Sequence, residues 1–282
     1  MIDLHTHSNR SDGALAPAEL VTRAAAAGVA TLALTDHDTV DGLDEAGHAA
    51  KGLGVEFVPG VEISAGWRSQ AIHVLGLWID PRSPALSAAL ASQAARRRDR
   101  MRAICAQLSA KGLPGERLQA EVEAMAGLPT RAHLALALVA GGHVRRMEDA
   151  FRIHLGRGRI AQIAADWPAL AEVVAWIVAA GGTASLAHPT RYALSAGARR
   201  QLLADFAAAG GRSLEVVTGG NAAHHVETCA ALATRYGLSG SVGSDFHSPD
   251  RPWNTLGRSL KLPACVIPAW RERGVFEPSG QM

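Results

Sequence analysis

Short apolar runs recur along this chain, and almost every one ends on a histidine or a carboxylate. Met1–Leu4 leads into His5 and His7, and Thr31–Thr35 into Asp36, His37 and Asp38. Val55–Pro59 leads into Gly60, Val61 and Glu62, and Ala71–Trp78 carries His73 inside it. Late in the chain, Thr183–Ala187 leads into His188 and Leu214–Val217 into Thr218-Gly219-Gly220-Asn221. Ser239–Gly243 leads into Ser244-Asp245-Phe246-His247. Rich in β-branched residues and bounded by polar ones, these runs read as strands.

Helical patterns lie between them. Pro17–Ala27 begins with a proline suited to a first turn and ends at Gly28, suited to a C-cap. Gly42–Leu53, Leu170–Ala180, Ala198–Ala209 and Ala222–Tyr236 are similar, and the last four end at or near glycine. Strand and helix alternate, which implies parallel strands joined by crossover helices. The middle of the chain departs from this. Pro84–Ala110, Glu116–Ala126, Arg131–Ala140 and Met147–Leu155 read as helices with no strand between them. The predicted organisation is one discontinuous α/β domain, residues 1–80 and 168–282, with a helical insertion at 81–167.

Composition narrows the class. Aromatics make up 5% of the 282 residues while glycine alone numbers 29, which suits close helix–sheet packing better than an all-β fold. No apolar run is long enough to span a membrane, and the N-terminus lacks a basic region followed by an apolar stretch. Cys105, Cys229 and Cys265 are scattered and odd in number, so neither a disulfide framework nor a cysteine metal site is expected, and a reducing cytoplasm is. The net charge of +2 hides an asymmetry. Fourteen basic against seven acidic residues between Arg82 and Asp166 leave the remainder acidic, which suggests an anionic substrate held near cations. Within that segment Arg96, Arg97, Arg98, Arg100 and Arg102 read as a solvated helix face.

In parallel α/β architectures the functional site lies at the carboxyl ends of the strands. His5, His7, His37, Glu62, His188, Asp245 and His247 all stand at or just past such ends. Residues i and i+2 on a strand point to the same side, so His5 with His7, and Asp245 with His247, can each converge on one centre. A lone histidine is ordinarily a core or surface residue. Repetition on strand after strand argues for imidazole and carboxylate ligands to zinc, manganese or iron.

The segments HTHSNRSDG, LTDHDTVDG, PGVEIS, AHP and GSDFH resemble successive motifs of the PHP (polymerase and histidinol phosphatase) family. The resemblance covers the chain except the helical insertion. It implies a distorted (β/α)7 TIM-like barrel with an inserted all-helical subdomain, and a centre of two or three divalent metal ions, manganese first, with zinc or iron as alternatives. Carried over by motif, it implies that His5, His7, Glu62 and Asp245 hold one ion. Glu62 would bridge to a second, completed by His73 and His188, and Asp12, His37 and His247 would hold a third. Histidinol phosphatases often carry histidine where this chain has Asp12, which weakens that assignment. A related amidohydrolase type would need a carboxylated lysine as bridge, but Lys51, Lys111 and Lys261 follow no strand in the barrel pattern.

Three divalent ions against Asp12, Glu62 and Asp245 leave positive charge for a phosphate, and bound water falls in pKa from about 15.7 to about 7. The expected chemistry is in-line attack of that activated water on a phosphate ester, with Asp36 or His188 as candidate acid or base. In the insertion, TRAH holds Arg131 and His133, and Arg157 in LGRGR sits between two glycines that either let it approach a phosphate or merely end a helix. An insertion with these motifs is similar to that of bacterial nucleoside 3′,5′-bisphosphate phosphatases. Those remove the 3′-phosphate, as in adenosine 3′,5′-bisphosphate to AMP, and related members trim short RNA from its 5′ end. The resemblance implies that Arg131, His133 and Arg157 grip the 5′-phosphate or base side. Arg191 and Asn221, just beyond strand ends, complete the candidate substrate contacts. The expected partner is a small nucleotide or short RNA, with neither a membrane nor an obligatory protein partner. The alternatives are histidinol phosphate hydrolysis, a polymerase-associated proofreading module, and a non-catalytic metal-dependent regulator.

Overall fold

The computed structural model describes residues 1–273 except 157, 160–162, 164–165, 251–253 and 258–259. Seven strands form one sheet in chain order: β1 (Ile2–Asp3), β2 (Thr31–Leu34), β3 (Glu56–Trp67), β4 (Gln70–Leu77), β5 (Thr183–Leu186), β6 (Ser213–Thr218) and β7 (Ser239–Gly243). The last meets the first. Leu4 N–H donates to Val242 O at 2.9 Å, His7 N–H to Phe246 O at 2.9 Å and Asp245 N–H to His5 O at 2.8 Å. The result is the expected distorted seven-stranded barrel.

The pairing is parallel along β1–β2–β3 and β5–β6–β7, but β4 runs antiparallel to both its neighbours. This corrects the expectation of parallel strands throughout. Pro59 and Gly60 look like a break in sequence, yet β3 continues past them to Trp67, and Arg68 and Ser69 turn it directly into β4. A two-residue connection leaves no room for a crossover helix, so the pair must be antiparallel. Gly60 serves close approach: a Cβ there would lie 2.8 Å from Thr35 Cγ2 and 3.0 Å from Leu34 O.

Helices α1 (Pro17–Ala26) and α2 (Leu43–Leu53) follow β1 and β2. The first has Pro17 at its start and Glu19 in its first turn, and buries Leu20, Val21 and Ala24 against the barrel. Between β4 and β5 stand α3 (Pro84–Ser109), α4 (Gly115–Glu123), α5 (Arg131–Ala140) and α6 (Met147–Ala150), the last running into a π-helical turn at Phe151–Leu155. Then α7 (Leu170–Ala179), α8 (Ala196–Ala208) and α9 (Ala223–Tyr236) alternate with the remaining strands. The buried apolar residues fall into two clusters. One fills the barrel and its helix layer with side chains such as Leu4, Leu32, Ile63, Leu75 and Phe206. The other joins α3–α6 through Ile104, Leu108, Leu118, Leu134 and Leu138. Among the described residues, no helix is long and apolar enough to cross a membrane.

Candidate functional site

The strand ends bring nine predicted ligands to one mouth of the barrel. Glu62, on β3, lies at the centre with its side chain 1% exposed. Its two oxygens face different partners. Oε1 is 3.0 Å from both His73 Nδ1 and His188 Nε2. Oε2 is 2.9 Å from His37 Nδ1, 3.4 Å from His7 Nε2 and 3.5 Å from His5 Nε2. Asp245 Oδ1 approaches His7 Nε2 at 3.3 Å and His5 Nε2 at 3.4 Å. Asp12 Oδ1 stands 3.4 Å from His247 Nε2 and 3.8 Å from His37 Nε2. Asp245 and His188 both take positive φ, which turns the chain sharply where each strand ends.

Charge is arranged to match. Burial works against ionising Glu62, Asp12 and Asp245, yet the histidines around them hold all three well below the usual carboxylate range. Burial also opposes charge on His5 and His247, but carboxylates win at both. Glu215, Glu62 and Asp245 raise His5 well above its ordinary value, while Asp245 and Asp12 lift His247 to about 9. Burial and the neighbouring His247 push His7 down to about 3.

The donor set at the barrel mouth has the composition and crowding of a cation site. Ligand atoms within 4.8 Å of one another occur as His7–Asp12–His37–His247, His5–His7–Asp245, His5–Glu62–His188 and His37–Glu62–His73. Glu62 Oε2 and Asp12 Oδ1 are buried with no hydrogen-bond partner among the described residues. His5 Nε2 and His7 Nε2 face each other at 3.1 Å. Carboxylate and imidazole donor atoms converging from several strands on shared points are what a divalent cation satisfies. The set fits metal ions, and the fit is the coarse one the ligand chemistry allows: any of several N/O-binding metals. The lysines offer no bridge, because Lys51, Lys111 and Lys261 are all exposed.

Supporting residues came less readily from sequence. Glu215, fully buried on β6, binds His5 Nδ1 at 2.9 Å and accepts the His188 backbone N–H at 2.6 Å. It orients two candidate ligands at once. The one signal was a glutamate within the otherwise apolar LEVV. Asp36 was expected as acid or base. Instead both its oxygens accept from the next loop, from Ser8 N–H at 2.8 Å, Ser11 Oγ at 2.7 Å and Ser8 Oγ at 2.5 Å. Burial raises it to about 6, but it shapes the loop carrying His7 and Asp12 and lines neither cavity beside the cluster. His188 points its Nε2 at Glu62 and so stands among the candidate ligands.

Beside the cluster, a cavity of about 240 Å³ opens on Asp12, His37, His73 and His247. Its other wall is Arg97, Arg100, Arg131, Phe151 and Trp167 from the inserted helices and the segment that follows them. Arg97 and Arg100 correct the reading of a solvated helix face. Arg98 and Arg102 are exposed as expected, but Gln93, Arg97 and Arg100 lie one turn apart on the opposite face of α3. Arg97 Nε bonds Asp38 Oδ2 at 2.6 Å and its Nη2 bonds Ser64 Oγ at 3.0 Å, while Gln93 Nε2 reaches Ser64 O at 2.7 Å. These contacts clamp α3 to the barrel mouth. Arg97 and Arg100 both lie over the Trp167 ring.

Of the predicted substrate contacts, Arg131 lines this cavity and donates to Leu155 O at 3.2 Å. His133 does not line it. Its Nδ1 accepts Thr130 N–H at 3.1 Å in a capping box that starts α5, so it holds the helix instead. Arg157 lies outside the described residues. Arg191 and Asn221 line a second cavity on the other strand ends, where Arg191 bonds Asp245 and donates to Gly219 O at 3.1 Å.

The chain is similar to known proteins over nearly its whole length. The PHP domain model matches residues 3–177. The 3′,5′-nucleoside bisphosphate phosphatase of Chromobacterium violaceum is 42% identical over 96% of this chain and 95% of its own. A 5′-3′ exoribonuclease of Haemophilus influenzae is 44% identical over 96% of this chain and 98% of its own. A solved structure from C. violaceum, described as an amidohydrolase with bound sulfate and no metal, is 42% identical over 96% of this chain and 95% of its own, with a TM-score of 0.90. The barrel, the strand-end histidines and carboxylates, and these matches along nearly the whole length establish that the chain belongs to the PHP family.

Proposed function

We propose that this protein is a metal-dependent phosphohydrolase that removes the 3′-phosphate from nucleoside 3′,5′-bisphosphates and trims short oligoribonucleotides from the 5′ end. The observation that carries this reading is the pairing of two anion sites: a cluster suited to cations, and beside it a cavity walled by three arginines. Of those, Arg97 is neutralised by Asp38. The one carboxylate lining the cavity, Asp12, stands beside His37 and His247, whereas Arg100 and Arg131 form no ion pair among the described residues, and Arg100 Nε is buried without a hydrogen-bond partner among them. Burial and the neighbouring cations pull Arg100 down to about 10 and lower Arg131 as well. Two uncompensated guanidiniums suit a second phosphate dianion. Histidinol phosphate has only one phosphate, so this cavity favours the bisphosphate. Phe151 and Trp167 offer apolar and aromatic surface for the nucleoside between the two phosphates.

In this reading His5, His7, Glu62 and Asp245 hold one ion, Glu62 with His73 and His188 a second, and Asp12 with His37 and His247 a third. Manganese is the first choice, zinc or iron the alternatives. When bound, such ions supply an activated water and Lewis-acid stabilisation of phosphate charge. The chain's own residues do the rest. Glu215 fixes the ring of His5 and the backbone of His188, so the ligands are set before substrate arrives. Arg100 and Arg131 hold the 5′-phosphate and thereby aim the 3′-phosphate at the cluster. The names of the two relatives support both halves of the reading.

Steady-state phosphate release in manganese tests it, comparing an adenosine 3′,5′-bisphosphate with histidinol phosphate and with a 3′-monophosphate. The bisphosphate should have the highest kcat/KM. Preference for histidinol phosphate would overturn the substrate, and no hydrolysis of any of them would overturn the enzyme.

A further inference from the structure

At the barrel mouth a side chain interrupts the β4–β5 ladder. Val74 pairs with Leu186, so the next pair in register is His73 with Ala187. Ala187 N–H donates to His73 O at 3.1 Å. In an antiparallel pair of this kind the two residues exchange both bonds, and the second would run from His73 N–H to Ala187 O. The Tyr192 hydroxyl stands in its place. It accepts from His73 N–H at 2.9 Å and donates to Ala187 O at 2.9 Å. One oxygen that accepts and donates at once holds the strand ends apart and leaves neither backbone group open. The chain comes to this point through a turn, closed by Arg191 N–H on His188 O at 2.9 Å. The Tyr192 ring packs against the barrel core and meets the His188 ring edge-on, with centroids 5.4 Å apart.

Both residues beside this wedge are candidate ligands. His73 belongs to the interrupted pair itself, and His188 follows Ala187 directly. His73 Nδ1 and His188 Nε2 each stand 3.0 Å from the same oxygen of Glu62. How far the ends of β4 and β5 are splayed therefore sets how the two imidazoles meet that oxygen. Glu215 holds the His188 backbone from the β6 side, and Tyr192 supplies the hold toward β4.

We infer that Tyr192 is a positioning residue whose hydroxyl spaces His73 and His188 about Glu62 and so governs the affinity of the one ion those three would share. The inference rests on the metal cluster of the function proposed above. The hydroxyl is spent on two backbone groups, so it acts through the imidazoles and not as a ligand. Without it, His73 N–H and Ala187 O are left unsatisfied or close on each other. Left unsatisfied, they loosen both strand ends. Closed on each other, they draw the two imidazoles together. The ligands on β1, β2 and β7 keep their own supports in both cases.

The test is a calorimetric manganese titration of the full chain after its metal is stripped, in wild type, Tyr192→Phe, His73→Ala and the double variant. Phenylalanine keeps the ring against the core and removes a single oxygen. Tyr192→Met, which removes ring and hydroxyl together, is titrated beside it, and circular dichroism checks that each variant is folded. Tyr192→Phe should weaken one ion about 10–100-fold, the scale for losing a group that orients ligands, and leave the others within about twofold of wild type. Tyr192→Met should weaken the same ion at least as much. His73→Ala should lose that ion, and the double variant should lose no more than His73→Ala alone. The inference is overturned if Tyr192→Phe binds every ion as wild type does, weakens all of them alike, or adds a further loss to His73→Ala. A packing role alone would give those results. Wild type that takes up no manganese would instead remove the proposed function, and this positioning role with it.

Discussion

Replacing Arg97 with methionine keeps the length and apolar bulk of the side chain but strips its charge from the contact between α3 and the barrel. The side chain is 8% exposed and that of its partner Asp38 fully buried. The substitution removes the 2.6 Å bond to Asp38 Oδ2 and the 3.0 Å bond to Ser64 Oγ. Asp38 would then stay buried with two donors on its other oxygen, Ser64 N–H at 2.8 Å and Gln93 Nε2 at 3.0 Å. Breaking a buried pair by removing one partner costs about 3–5 kcal/mol, and the two surviving donors place this case near the lower end. Unfolding entropy of about 2 cal/mol/K per residue, taken over the chain, turns that into a fall in Tm of roughly 5 °C. Thermal unfolding followed by circular dichroism reads the shift. Asp38→Asn combined with Arg97→Met should recover part of it, because the uncompensated charge is then gone. A Tm for Arg97→Met within about 1 °C of wild type would show that this pair does not hold α3 to the barrel, as would a double variant no more stable than the single.

Four more outcomes are expected. Asp245→Ala and His7→Ala should abolish turnover while circular dichroism stays native. Glu215→Gln should weaken manganese binding roughly 10–100-fold, measured by metal titration, because it loosens two ligands without being one. Arg100→Ala should raise KM for the bisphosphate about tenfold or more, with little effect on a 3′-monophosphate, which has no 5′-phosphate to lose. Stripping metal with a chelator should lower Tm by several degrees, since ions present at about 100 times their Kd add about 2.7 kcal/mol to the folded state.

The barrel and its candidate ligands were legible because both obey short-range rules. His5 with His7, and Asp245 with His247, advertise themselves by strand periodicity at strand ends, and β7 (Ser239–Gly243) stands where its apolar run does. The β3–β4 hairpin was hidden because Pro59 and Gly60 imitate a strand end, while the reason for Gly60 is clearance from Leu34 at the end of β2 and Thr35 just beyond it. Glu215 was missed because nothing local distinguishes a supporting carboxylate inside a strand from an ordinary charge. Arg97 and Arg100 were hidden among arginines that do face water; only their phase relative to Gln93 separates them. His133 and Asp36 were noticed for their chemistry, but backbone donors and nearby serines claim their polar atoms, and only the fold reveals such partners.

The proposed hydrolysis depends on the strand-end imidazoles and carboxylates caging divalent cations at the barrel mouth. Elemental analysis of gel-filtered, manganese-loaded protein tests it most directly, run beside folded Asp245→Ala and His7→Ala. Two or three ions per chain are expected in the wild type and at least one fewer in each variant. Wild-type protein without stoichiometric metal, or variants retaining the full complement, would contradict it.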